Sequence, residues 1–163
     1  MSESTTLRRV VGAVASVLLV SSLAGCSIPG ILSGGGGSSS RSAASSDDLQ
    51  SVTSAVLAAD SRVTDASGTV SYSGAARTLT VAVIMSGEDP VTTSTLTAVL
   101  IAVRDATPAD IQTVTVIARE AADEEKILDL SGAIAGLPKD VTPLWDGGAT
   151  LSRVDLEKLK PAQ

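Results

Sequence analysis

Two segments of the chain place apolar residues at the spacing of an α-helix. An apolar stripe at intervals of three and four predicts one amphipathic helix over 48–59 and a second that ends near residue 106. The stripes are Leu49, Val52, Val56 and Ala59 in the first, and Leu96, Val99, Leu100 and Val103 in the second. The hydroxyl of Thr92 or of Thr93 can cap the start of the second helix, and Pro108 follows its end.

Three further segments have the composition of strands. The 78–85 segment is largely apolar at both sets of alternate positions, so we expect it at the centre of a sheet. The 63–72 segment is rich in Val, Thr and Ser, and Gly68 within it is the expected position of a β-bulge. A third strand is predicted over 111–118.

The pattern weakens towards the C-terminus, where we expect only short elements. We expect a charged connection over 121–125, a short strand over 126–130 and a short helix over 131–137 before Pro138. Strands at 144–145 and 149–151 should flank the turn 146–148. The 154–160 segment is either a strand or a helix with Ser152 as its cap.

The predicted order of elements defines the fold class. Helix, strand, strand, helix and strand indicate an α+β fold, a small two-layer sandwich with helices on one face of a mostly antiparallel sheet. This order is similar to that of ferredoxin-like folds and of the BON modules of bacterial envelope proteins. Because no motif of either family is present, the resemblance implies a topology and no functional residues.

The N-terminal 25 residues have the three parts of a secretory signal peptide. Arg8 and Arg9 supply positive charge, 10–20 is an apolar run, and 21–25 is small and weakly polar. The apolar run is too short to span a bilayer. The arginine pair also resembles a twin-arginine export signal, but its flanking residues fit poorly, and we expect the general secretory route.

Leu23-Ala24-Gly25-Cys26 follows this run and contains the only cysteine of the chain. The tetrapeptide resembles the lipobox of bacterial lipoproteins, an aliphatic residue, a small residue, Gly or Ala, and Cys. The resemblance implies a thioether-linked diacylglyceryl group on Cys26, cleavage between Gly25 and Cys26, often a further acyl chain on the new amino terminus, and a position on the outer face of the cell membrane. The alternative is cleavage elsewhere, with Cys26 left as a free thiol.

Composition divides the rest of the chain into a linker and a domain. We expect the lipidated Cys26 and a flexible Gly/Ser linker over 26–46, an α+β domain over 47–160 and a tail over 161–163. The linker has a root-mean-square reach of roughly 25 Å. With no cysteine besides Cys26, the domain must be held by a hydrophobic core rather than by disulfides.

Charge and residue usage exclude several function classes. The chain has 12 basic and 18 acidic residues. Removal of 1–25 takes away Arg8, Arg9 and Glu3 and leaves a net charge of −7, which argues against nucleic acid and anionic lipid as main partners. Histidine is absent, so the commonest general base and metal ligand are missing. We expect no cofactor and no catalytic activity.

Three features remain as candidate sites. Asp123-Glu124-Glu125 carries carboxylates that calcium could use, although a solvated turn explains it as well. Asp146 and Glu157 match the ends of an EF-hand loop, but Leu151 stands where the loop requires Gly, so a Gly-Gly turn is the better interpretation. Trp145 is either an anchor for a partner or a cover for the core beside that turn.

The sequence therefore predicts a membrane-anchored envelope lipoprotein with a non-catalytic binding, assembly or scaffolding domain. Its expected partner, besides the membrane, is an envelope protein or a wall polymer. The alternatives are a small solute-capturing lipoprotein of a transport system and, less favoured, a small hydrolase.

Overall fold

The computed structural model describes residues 46–161, which contain four helices and six strands. In chain order these are α1 Ser46–Ala59, β1 Val63–Ser73, β2 Ala76–Met85, α2 Thr93–Ala106, β3 Thr113–Glu120, β4 Asp123–Ile127, α3 Ser131–Ala135, β5 Leu144–Trp145, β6 Ala149–Ser152 and α4 Arg153–Lys158. Within these residues no helix is long and apolar enough to cross a membrane.

The six strands form one sheet in the order β1-β2-β3-β6-β5, with β4 also paired to β3. Only the β2–β3 pairing is parallel, since α2 crosses between these two strands, and the other pairings in the described residues are antiparallel. The fold is therefore the predicted α+β class, with helices packed on a mostly antiparallel sheet. The 78–85 segment lies between two other strands, as its apolar composition predicts.

The core lies between the helices and one face of the sheet. Alternate residues of β2 are buried, among them Leu79, Val81 and Val83, and those between them are only partly covered. The same alternation in β3 buries Val114 and Val116. Aliphatic side chains fill this core, since the two aromatic residues of the chain, Tyr72 and Trp145, are 41% and 42% exposed.

The start of α2 is held by a chain of hydroxyl and carboxylate contacts. The hydroxyl of Thr92 accepts from the backbone N–H of Thr95 at 3.1 Å, so Thr92 is the cap of the two predicted candidates. The Thr95 hydroxyl in turn donates to the Asp60 carboxylate at 2.6 Å. This hydrogen bond, with a second from the backbone N–H of Arg62, lowers the pKa of Asp60. The network ties α2 to the connection between α1 and β1.

The β1–β2 hairpin turns at Gly74, whose positive φ of 63° suits a two-residue hairpin loop. The predicted bulge at Gly68 is wrong, because the register shift lies between Val63 and Asp65 and Gly68 pairs regularly with Val81. Gly68 instead lets α1 approach the sheet, since a Cβ there would lie 3.3 Å from a methyl carbon of Leu49.

The C-terminal part contains one strand whose bounds the sequence pattern misplaced. The predicted charged connection over 121–125 and strand over 126–130 are replaced by β4, which already begins at Asp123 and pairs with β3. All five residues of β4 are exposed, so no apolar alternation marks it, and backbone pairing alone defines it. The hairpin of β5 and β6 and the helix capped by Ser152 are confirmed.

Candidate interaction surface

Gly25 and Cys26 lie outside the residues that the structure describes, as does the Gly/Ser segment after them. Lipidation of Cys26 and cleavage before it therefore stay predictions of the sequence.

Trp145 lies in the two-residue strand β5 at one edge of the sheet. Because side chains alternate along a strand, Trp145 shares a face with its buried partner Ala149, and Leu144 shares the other face with Thr150. The Trp145 side chain is 42% exposed and Leu144 is 69% exposed. The indole covers the margin of the core and also remains accessible, so its role as a partner contact stays a prediction.

The acidic run Asp123-Glu124-Glu125 forms the start of β4. The Asp123 carboxylate accepts from the backbone N–H of Glu125 at 3.2 Å, and the backbone carbonyl of Glu124 accepts from the Arg119 guanidinium at 2.8 Å. Within residues 46–161, no three His, Cys, Asp or Glu side chains are grouped to hold a metal ion. The run acts locally, in shaping the hairpin of β3 and β4.

An ion pair with one buried member lies on the helix side of this hairpin. Glu120 is 8% exposed and pairs with Lys126, whose side chain is 60% exposed, and the Glu120 carboxylate raises the pKa of Lys126. A shallow groove beside the pair is lined by acidic residues and a short apolar floor. Its Asp129 carboxylate accepts from the backbone N–H of Ser131 at 2.8 Å, which lowers the pKa of Asp129.

The segment that begins at Asp146 and ends at Glu157 is a turn, a strand and part of a helix. Gly147 has a positive φ of 68° in the turn between β5 and β6. Glu157 lies in α4, where its carboxylate faces the guanidinium of Arg153 at 3.5 Å. The two ends therefore belong to different elements and do not enclose a single loop.

The most distinctive surface is the sheet face opposite the helices, which we call the open face. Twelve of its positions, spread over β1, β2, β3, β5 and β6, carry no charged side chain. They are Ser67, Thr69, Ser71, Thr78, Thr80, Ala82, Thr113, Thr115, Ile117, Leu144, Thr150 and Ser152. Six are threonine, and all twelve are partly or fully exposed.

The strand register arranges the open face in rows that cross the sheet. Thr69 pairs with Thr80, Thr80 with Thr115, and Thr115 with Thr150, so one row consists of four threonines on four adjacent strands. The hydroxyls of Thr115 and Thr150 are 2.8 Å apart and hydrogen bonded. Leu144 continues this row on β5. The row presents methyl groups and hydroxyls that can both donate and accept.

The open face carries little charge compared with the rest of the chain. A well-behaved soluble surface is about 25–35% Lys, Arg, Glu and Asp, so fifteen positions, the twelve above and the row of Asp65, Ile84 and Arg119, would hold about four or five charges rather than two. The high strand propensity of threonine explains its presence in a sheet, but not why no Lys, Arg or Glu is interspersed. A partner that covers these twelve positions would not have to desolvate a charge there, and their hydroxyls can hydrogen bond to it.

Two opposite charges stand at one end of the open face. Asp65 and Arg119 lie in the row that also holds Ile84, with Ile84 between them on β2. The Asp65 carboxylate accepts from the backbone N–H of Ala66 at 2.8 Å. Arg119 donates to the carbonyl of Glu124, and its Nε has no hydrogen-bond partner in the described residues. Neither side chain forms an ion pair within residues 46–161.

Comparisons with protein-family models, with curated proteins and with solved structures found no significant match to this chain. The open face is therefore defined only by the residues and strand register of this chain.

Sequence reasoning did not find the open face, although its members were visible as alternate Thr and Ser residues. The alternation shows that Thr80 and Thr115 each lie on the less apolar side of a strand. It does not show that β2 and β3 are neighbours or that these two residues are opposite each other. The parallel register supplies both facts, and only the folded sheet contains it.

Proposed function

We propose that the chain is a lipid-anchored protein of the bacterial cell envelope that works by non-catalytic contact through its open face. The open face, whose charges are confined to Asp65 and Arg119 at one end, carries the binding part of this proposal. The lipobox-like tetrapeptide that ends at Cys26 carries the anchoring part. The absence of histidine from the sequence supports a role in binding rather than in acid–base catalysis.

The anchoring part is tested by replacing Cys26 with Ala in the full chain. Two acyl chains at about 0.8 kcal/mol per buried methylene hold a protein on a membrane almost permanently, so the parent is expected in the membrane fraction and to incorporate labelled fatty acid. The Cys26→Ala variant should lose the label and leave that fraction. Ser27→Ala, one residue further on, is the matched control. Unchanged fractionation and mobility of Cys26→Ala would show that the anchor is wrongly assigned.

The binding part is tested by placing a charge in the threonine row. Thr80→Lys introduces a cation at the centre of the open face, where a bound surface would have to desolvate it. Envelope cross-linking through the open face should then fall at least several-fold, with the melting temperature within a few degrees of the parent. Ser54→Lys, on the exposed side of α1, should leave cross-linking unchanged. Equal cross-linking of the two variants would contradict binding through the open face.

A further inference from the structure

The two charges at the end of the open face are related to each other in a specific way. Asp65 lies on β1, Arg119 lies on β3, and both are opposite Ile84 on the strand between them. Adjacent strands are about 4.8 Å apart, so the backbones of the two residues are on the order of 10 Å apart across the sheet. Their side chains form no ion pair with each other within residues 46–161. They are placed symmetrically about β2, with opposite sign.

From this symmetry we infer that the open face binds the open face of a second copy of the chain, about a two-fold axis that runs along β2 between the two sheets. This inference deepens the proposed function and rests on it for the anchoring of both copies. The axis places β1 of each copy over β3 of the other. Asp65 then faces Arg119 of the second copy, and Arg119 faces its Asp65, so both charges gain a partner.

The same axis matches the remaining rows. Thr69 lies over Thr115 of the second copy, and Thr80 and Ala82 each lie over their own counterparts. Since a hydroxyl both donates and accepts, a threonine row can hydrogen bond to an identical row without a change of side chain. The sheets would pack face to face at a spacing of about 10 Å with their strands nearly aligned, a normal geometry for stacked sheets.

The area of contact predicts a weak pair. Three overlapping strands at about 4.8 Å spacing and seven or eight residues at about 3.3 Å give roughly 350 Å² per copy, or about 700 Å² in total. Stable interfaces bury about 1,200–2,000 Å². A pair of this size requires a high local concentration, and anchoring of both copies to one membrane would supply it. We expect a dimer at the membrane and a monomer in dilute solution.

The proposal is tested with single thiols in the full chain, in membranes. Ala82→Cys places a thiol on the two-fold axis, and a bifunctional maleimide with a spacer of about 8 Å suits the spacing of about 10 Å between stacked sheets. Ser51→Cys, exposed on α1, is the matched control. Ala82→Cys should cross-link to a dimer at least five-fold more than Ser51→Cys. Equal cross-linking of the two variants would overturn the proposal.

Charge exchange in the Ala82→Cys chain tests the register. Asp65→Arg places two like charges together on both sides of the axis, as does Arg119→Asp, and each should lower cross-linking about three- to ten-fold, since exposed ion pairs are individually modest. The double variant Asp65→Arg/Arg119→Asp restores opposite charges and should return cross-linking to within two-fold of the parent. Single variants without effect, or a double variant that stays low, would contradict this arrangement.

Failure of this inference can be told apart from failure of the proposed function. The parent has no thiol besides Cys26, so labelling of the parent by maleimide would show that Cys26 is free and that the anchor is absent. If the anchor is present and Thr80→Lys abolishes cross-linking to a different envelope protein while Ala82→Cys forms no dimer, the open face binds, and the second copy is the wrong occupant.

Discussion

The Thr95→Val substitution measures how much the Asp60 network contributes to stability. Thr95 is 7% exposed and donates its hydroxyl hydrogen to the Asp60 carboxylate at 2.6 Å. Valine has nearly the same shape, so packing is retained while the carboxylate loses one donor and the Thr92 hydroxyl loses its acceptor at 3.1 Å. Hydrogen bonds to charged groups contribute about 1.5–3 kcal/mol, and because Asp60 is partly accessible to water we expect the lower end, about 1.5 kcal/mol.

For a domain of this size that loss lowers the melting temperature by about 6 °C. Thr97→Val is the matched control, since it removes the same hydroxyl from the same helix and no described residue hydrogen bonds to that group. We expect the control to change the free energy of unfolding by less than about 0.5 kcal/mol. Urea denaturation of the chain that carries Cys26→Ser measures both variants.

The pH dependence identifies the carboxylate as the cause. The folded-state pKa of Asp60 lies below its ordinary value of 3.8, chiefly because of the Thr95 hydrogen bond. The ionised carboxylate therefore adds stability above pH 3.8, and that stability is lost as the pH falls through the lowered pKa. The gap between Thr95→Val and the parent should be full at neutral pH and should narrow below pH 3.8.

Two results would refute this reasoning. One is a Thr95→Val variant as stable at neutral pH as Thr97→Val. The other is a gap that stays constant into the acid range, which would assign the loss to packing rather than to the carboxylate.

Two further predictions concern packing and autonomy of the fold. Gly136→Ala should lower the free energy of unfolding by about 1–3 kcal/mol, because the new Cβ would lie 3.0 Å from the Cβ of Thr93 and closer still to its hydroxyl oxygen. Gly132→Ala is the control: a Cβ there would have no atom within 4 Å, so it should leave stability unchanged or raise it in the same denaturation assay. A fragment of residues 46–161 should fold without lipid, disulfide or metal; a melting temperature that falls sharply in the presence of a chelator would contradict this.

The elements that the sequence predicted well are those whose burial is periodic. Both α2 and β2 have apolar residues at the spacing of their own geometry, and both were located to within about two residues. In contrast, β4 is exposed at every position and charged at all but Ile127, so its sequence resembles a loop and only its pairing with β3 makes it a strand. Its pairing with β3, rather than its local composition, determines its strand conformation.

The same distinction separates the two candidate sites. The lipobox-like tetrapeptide is contiguous, so the sequence alone could point to Cys26, whose lipidation stays a prediction. The open face is assembled from five strands. Its rows depend on the register in which β3 pairs with β2 after the α2 crossover. Asp65 and Arg119 are 54 positions apart in the chain, and their placement in one row cannot be inferred until that register is known.

The place of β6 in the sheet has a consequence for the order in which the chain can acquire its structure. β3 is flanked by β2 on one side and by β6 on the other, and β6 ends at Ser152, near the end of the chain. A chain that emerges from its N-terminus onwards therefore leaves the Thr113–Val116 part of this edge of β3 unpaired until almost all of the chain has been released, since β4 pairs only with Arg119 and Glu120 at the other end of the strand. The sheet cannot be completed piece by piece. The pairing of β6 with β3 is therefore a late event.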